Sequence, residues 1–203
     1  MSPTDGSRPP AREPTPEEVG VRGEPKPCGG CTVCCKVLGI GPNGKEPGVL
    51  CPHAAPGAGC GVYDHRPQVC AAYQCIWTWA EPLDPSWRPD RAGFLINPRP
   101  DPAEVEVVVD PDQPDAWRRE PYFSQIKQWS DPRTVSIARV LVRTRGRVTV
   151  VFPEGEIELG LPNHPQFRVE SGYEMRDGRM QPFARFSSLF GATPSFSLGA
   201  PRP

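Results

Sequence analysis

The stretch CGGCTVCCKV, which begins at Cys28, contains four of the chain's eight cysteines. Cys28, Cys31 and Cys34 are spaced three residues apart, and Cys35 follows directly. In a helical turn over residues 31–37, the last three of these cysteines would share a face, with Cys28 just before the helix. The N-terminus of a helix stabilises thiolates, and the thiolate is the form of cysteine that binds metals. The spacing therefore predicts a metal-chelating cluster.

The remaining cysteines lie further along the same segment. They are Cys51, Cys60, Cys70 and Cys75. Eight thiolates match two four-cysteine metal sites, or one four-cysteine cluster together with one mixed site. An even number of cysteines also permits a disulfide framework. We favour metal binding, because adjacent cysteines rarely bridge each other without strain and because the N-terminus has no apolar segment typical of an exported protein.

The identity of the metal stays open between zinc and iron. All-sulfur ligation suits zinc and iron–sulfur clusters alike. The first three cysteines copy the start of the ferredoxin run, but its fourth cysteine would fall at Leu38. Cys51, which precedes Pro52, could complete a 4Fe-4S cluster in its place.

Several other side chains are candidates for roles around these thiols. His53, Asp64 and His65 lie among the later cysteines and could act as ligands or as acid–base groups. A zinc ion held by four thiolates carries a net charge of about −2, so a neighbouring cation such as Arg66 would stabilise it.

Both ends of the cysteine-rich segment carry a recognisable motif. The first is Cys28-x2-Cys31-x2-Cys34-Cys35, and the last is Tyr63-Asp64-His65-Arg66-Pro67-x2-Cys70-x2-Tyr73-x-Cys75. Over about residues 27 to 80, the chain resembles the CxxCxxCC zinc- or iron-chelating domain family, which includes the YkgJ-like cysteine-cluster proteins. The resemblance implies metal chelation by the eight cysteines. The side chains that we expect around the ligands are Tyr63, His65, Arg66 and Tyr73.

A second function class stays open. Flagellin lysine N-methylases are similar to the same family, which makes an iron–sulfur-dependent enzyme, such as a protein lysine N-methylase-like methyltransferase, the alternative to a metal-binding protein. The chain has three histidines, and no motif places any of them in a serine–histidine–acid catalytic triad. Whether the chain is an enzyme therefore stays undecided at this point.

Charge and hydropathy narrow the choice of partners and location. The chain has 23 basic and 24 acidic side chains, so we expect no general attraction to nucleic acid. The N-terminal MSPTDGSRPPAREPTPEEVG has no apolar signal-peptide core, and no apolar run is long enough to span a membrane. We expect a cytoplasmic protein that binds a metal ion. A third hypothesis is an adaptor that docks a protein partner through its flexible ends.

The elements that would position these residues form an α+β chain. We expect a disordered tail at 1–26, an irregular cysteine-rich module with short helices at 27–92, a small α+β unit at 93–160 and a flexible segment at 161–203. Within the module, RPQVCAAYQCIWTWA predicts a helix. The unit is predicted as strands AGFLINPR and EVEVVVD, helices DAWRREPYFSQIKQWS and DPRTVSIARVLVRTRG, and the hairpin RVTVVFPEGEIELG turning at Glu154-Gly155.

Overall fold

The computed structural model of the chain describes residues 26–41, 45–81, 83–98, 104–133, 139–161 and 167–188. Mixed short helices and sheets confirm the α+β class. The predicted N-terminal tail, apart from Lys26, lies outside these residues. No helix within them is long and apolar enough to cross a membrane.

The cysteine-rich part of the chain contains only short elements. They are α1 (Val33–Val37), β1 (Ala54–Ala55), β2 (Gly59–Cys60), a 3-10 turn (Tyr63–His65), α2 (Gln68–Ala72) and α3 (Ile76–Trp79). A second 3-10 turn (Pro85–Trp87) and α4 (Pro89–Ala92) lead into the sheet.

The single helix predicted across Cys70 and Cys75 is wrong. The backbone is extended at Tyr73 and at Cys75, with ψ values of 124° and 127°, and this break separates α2 from α3. Residues two apart point to nearly opposite sides of a helix. The break instead lets Tyr73 and Cys75 approach the same thiols, since each of them interacts electrostatically with Cys28.

A five-stranded sheet forms the centre of the rest of the chain. Its strands are β3 (Phe94–Pro98), β4 (Glu104–Val109), β5 (Arg139–Thr144), β6 (Arg147–Phe152) and β7 (Gly155–Gly160). They lie side by side in chain order; β4 and β5 are parallel, and the other neighbouring pairs are antiparallel. The connection between β4 and β5 carries a 3-10 turn (Ala116–Arg118) and helix α5 (Tyr122–Trp129). The predicted strands and the hairpin at Glu154-Gly155 are confirmed.

The second helix predicted in this unit is wrong, because its C-terminal half is strand β5. Val140 and Val142 are fully buried on one face of the sheet, and Leu141 is buried on the other. This alternation is the period of a strand covered on both faces. Arg145 and Gly146 form the turn into β6 with φ values of 49° and 77°. Residues 134–138 lie outside the described ranges.

The segment predicted to be flexible after residue 160 also contains regular structure. Strands β8 (Phe167–Arg176) and β9 (Arg179–Ser188) pair along their whole length in an antiparallel hairpin. Val169 and Ala184 of this hairpin are buried against Leu141, Val148 and Val150 of the sheet. The prediction is wrong for this hairpin, and residues 162–166 and 189–203 lie outside the structural description.

The cysteine-rich part wraps around the β3 edge of the sheet. On one face, Val33 and Val37 of α1 pack against Leu95 and Val108. On the opposite face, Trp77 of α3 joins the main core. The members of that core on the sheet include Phe94, Ile96, Val107, Val140 and Val142, and the residues that cover them include Trp87, Trp117, Tyr122 and Ile126. The thiol-bearing segments are therefore held in position by packing on both faces of the sheet.

We expect Ile126→Ala to lower the free energy of unfolding by about 2–5 kcal/mol, since Ile126 is fully buried and the truncation leaves a cavity. Urea denaturation followed by tryptophan fluorescence measures the change. Ser124→Ala is the matched control on the exposed face of α5, with an expected effect within about 0.5 kcal/mol. Equal losses for the two variants would contradict this assignment of the core.

Candidate metal centre

Helix α1 directs its two adjacent cysteines to different sides. Val33 and Val37 fix the side of the helix that meets the sheet. At 3.6 residues per turn, Cys34 lies about 80° and Cys35 about 180° from the middle of that side. Cys34 accordingly packs beside the buried valines, and Cys35 faces away from the sheet. The predicted helical face shared with Cys31 does not form, because Cys31 precedes the helix.

One set of thiols surrounds the sheet-facing side of α1, and we call it the inner group. It comprises Cys28, Cys31, Cys34 and Cys75. Cys75 interacts electrostatically with Cys28 and Cys31, and Cys34 interacts with Cys31 and Cys75. Burial raises the pKa of the Cys28 and Cys31 thiols, and it raises that of Cys75 to about 11.

The other set surrounds the far side of α1, and we call it the outer group. It comprises Cys35, Cys51, Cys60 and Cys70. Burial raises the pKa of Cys70, and the neighbouring Cys35, Cys51 and Cys60 raise it further. The amide of Cys51 donates a 3.0 Å hydrogen bond to the carbonyl of Cys35, which holds this loop against α1.

The two groups touch through α1. A hydrogen bond between the adjacent thiols raises the pKa of Cys34 and lowers that of Cys35 to about 6. Cys28 of the inner group also interacts electrostatically with Cys35. All eight cysteines are free thiols. Within the described ranges, no three His, Cys, Asp or Glu side chains are arranged to hold a metal ion.

Close backbone contacts bring the first cysteines to the β1–β2 hairpin. A Cβ atom at Gly30 would lie 2.1 Å from the carbonyl oxygen of Gly57, and one at Gly59 would lie 2.9 Å from that of Gly29. The amide of Gly57 also donates a 3.1 Å hydrogen bond to the carbonyl of Gly30. These positions require glycine because any side chain would push the two segments apart.

Three cations lie beside the thiols. Arg88 interacts electrostatically with Cys28 and Cys31 of the inner group. The predicted Arg66 lies between the groups, since its charge acts on Cys28 and on Cys60.

Lys45 is the cation of the outer group: burial lowers its pKa, while Cys51 and Cys35 oppose that shift. Its Nζ donates to the carbonyls of Lys36 and Leu38 at 3.1 and 2.5 Å, which ties the loop to the end of α1. Sequence reasoning missed Lys45 and Arg88 as partners of the thiols. Neither residue belongs to the cysteine motifs, and Arg88 lies outside the cysteine-bearing segment.

The other predicted side chains differ in position. The hydroxyl of Tyr73 is buried and has no hydrogen-bond partner among the described residues. Burial raises the pKa of Tyr73, with smaller contributions from Cys75, Cys34 and Cys28, so the hydroxyl stays protonated and can donate a hydrogen bond beside the inner group. Tyr63 is exposed, and its ring centre lies 3.9 Å from the guanidinium carbon of Arg66. The side chains of His53, Asp64 and His65 are exposed.

A separate cavity of about 540 Å³ lies between the end of α1 and the sheet. Val37, Leu38 and Val108 line its apolar side, and the ion pair of Glu106 with Arg143 lines its polar side. Asn97 donates a 3.0 Å hydrogen bond to the same carboxylate. None of the cysteines is among its described lining residues.

Comparison with protein-family models, curated proteins and solved structures finds no match to this chain.

Gly30→Ala should destabilise the protein by about 1–3 kcal/mol, because the added methyl overlaps the Gly57 carbonyl and forces the backbone to shift. Gly41→Ala is the control: its Cβ would meet no atom within 4 Å, and it should leave stability unchanged or raise it by up to about 1 kcal/mol. Chemical denaturation measures both variants. If Gly30→Ala is as stable as the native chain, the close contact is not required.

Proposed function

We propose that this chain is a metal-chelating protein whose eight cysteines bind zinc or iron in two groups of four. The observation that carries the proposal is the gathering of thiols from separate segments into the inner and outer groups on two sides of α1. Four sulfur donors are the ligand set that both zinc and iron–sulfur centres prefer.

The small core of the cysteine-rich part supports the same proposal. Among the described residues between 26 and 81, the buried apolar side chains larger than glycine are Val33, Val37 and Trp77. A segment of this length cannot offset its ordering entropy with so little burial. Structural zinc contributes about 10–16 kcal/mol of apparent binding free energy in small domains. A contribution of that size would offset the ordering entropy that apolar burial leaves uncompensated. A bound metal would cross-link four points of the chain in each group.

The neighbouring side chains also suit metal-bound thiolates. Four thiolates around a divalent ion leave excess negative charge, which Arg88, Arg66 and Lys45 would partly offset. The unpartnered hydroxyl of Tyr73 could donate a hydrogen bond to a thiolate of the inner group. Such donors orient the ligands and tune the affinity of the metal.

The decisive experiment is elemental analysis of the full chain purified without oxygen, together with its visible absorption spectrum. We expect about two zinc ions per chain and a colourless sample if each group binds one zinc. Iron with inorganic sulfide and a brown colour would instead support the iron–sulfur alternative. Protein with neither zinc nor iron, which also binds neither on reconstitution, would overturn the proposal.

Replacing one cysteine of α1 tests the use of both groups. Cys35→Ser should reduce the bound metal by about half, because it removes one ligand of the outer group and leaves the inner group complete. Val69→Ser, at the exposed residue before Cys70, is the control and should keep the full metal content. Unchanged stoichiometry in Cys35→Ser would contradict the assignment of Cys35 as a ligand.

Tyr73→Phe should weaken zinc binding at the inner group by about 10- to 100-fold, because the variant lacks the buried donor but keeps the ring. Competition with a chromophoric chelator at equilibrium measures the affinity of each site. Tyr63→Phe is the control, since Tyr63 is exposed and touches no thiol of the inner group in the described contacts. Equal affinities in Tyr73→Phe and the native chain would show that the hydroxyl has no such role.

A further inference from the structure

The inner and outer groups have different surroundings. The inner thiols Cys31 and Cys34 pack against a buried cluster of Val33, Val37 and the sheet, and Cys75 packs against the main core. Thr32, between Cys31 and α1, is 7% exposed. All eight cysteines are partly exposed, but displacement of Cys31, Cys34 or Cys75 from an ion would disturb packed apolar side chains.

The outer thiols lie on exposed segments. Large side chains near the outer cysteines in sequence are exposed to solvent. The exposed fractions are 38% for Leu50, 54% for Tyr63 and 53% for Val69. The residues on either side of Cys70 are both exposed, and so are the two residues that follow Cys51. A ligand from solution can reach this group without unfolding the sheet.

We propose that the two groups have different roles. The inner group retains its metal as part of the fold, and the outer group exchanges its metal with thiol ligands from outside the chain. This inference rests on the proposed metal binding. It identifies the outer group, Cys35, Cys51, Cys60 and Cys70, as an exchange site whose acceptor is a thiol-bearing molecule.

The exchange step is a ligand substitution without oxidation or reduction. The incoming thiol forms a metal–sulfur bond as one metal–cysteine bond breaks, and the proton of the thiol moves to the departing cysteine thiolate. Metal affinity depends on thiolate ligands, so each bond lost to the protein must be replaced by one to the acceptor. Cys70 is partly exposed and lies between two exposed residues, so it suits the first departure because the acceptor can approach it.

The test follows zinc release from the full chain loaded with two equivalents of Zn²⁺ under anaerobic conditions. Excess chromophoric chelator, with and without added glutathione, reports the released ion. We expect two phases of equal amplitude whose rates differ by about 10-fold or more, with glutathione accelerating the fast phase alone. The circular dichroism spectrum should stay native after the fast phase, because the inner group still holds its ion.

Variants assign the phases. Cys70→Ser should abolish the fast phase and leave the slow phase unchanged, whereas Cys31→Ser should abolish the slow phase. If Cys31→Ser does not fold, the native circular dichroism of the wild-type protein after the fast phase still tests the inner group. A single release phase, or loss of structure with the first ion, would overturn the division of roles. Binding of fewer than two zinc ions before chelator is added would instead overturn the two-site proposal beneath it.

Discussion

The packing of α1 on the sheet fixes the arrangement of the thiols. Val33 and Val37 are one helical turn apart, and both are buried against Leu95 and Val108. Lys36 adds an ion pair of 2.6 Å to the largely buried Asp110, which opposes rotation of the helix about its axis. With the helix held in this way, its adjacent cysteines must face two different sides. This contact therefore sets the sides of α1 on which Cys34 meets the inner group and Cys35 meets the outer group.

The sheet and the cysteine-rich part differ in how they are stabilised. Both faces of the sheet are covered, by α5 and its neighbours on one side and by α1 and the β8–β9 hairpin on the other. Burial of these apolar side chains is the main source of stability for the sheet. The other half has few buried apolar side chains, and its loops are joined by glycine contacts such as that of Gly30 with Gly57. It depends on the sheet for support and, in our proposal, on metal.

Sequence patterns located the thiols and much of the sheet, and the errors have physical causes. The valine-rich β4 and the β6–β7 hairpin carried clear strand signals. The segment that forms strand β5 is predicted as a helix, because its local pattern does not reveal its pairing with β4, which is parallel and distant along the chain. The break at Tyr73 was missed because helical propensity says nothing about the tertiary packing of Cys75. Arg88 is distant from Cys28 and Cys31 in sequence, and only the tertiary fold brings it beside these thiols.

Two short covalent segments connect the inner group to the outer group. These connections matter because exchange at one group must not disturb the geometry of the other. Cys34 and Cys35 are adjacent, while Cys70 and Cys75 are joined through the extended residues around Tyr73. A change at the outer group could pass to the inner group through either link. However, α1 is held by the sheet, and Cys75 packs against the main core, so both inner ends of these links are fixed independently of the outer thiols. Exchange at the outer group is therefore compatible with an inner group that keeps its geometry.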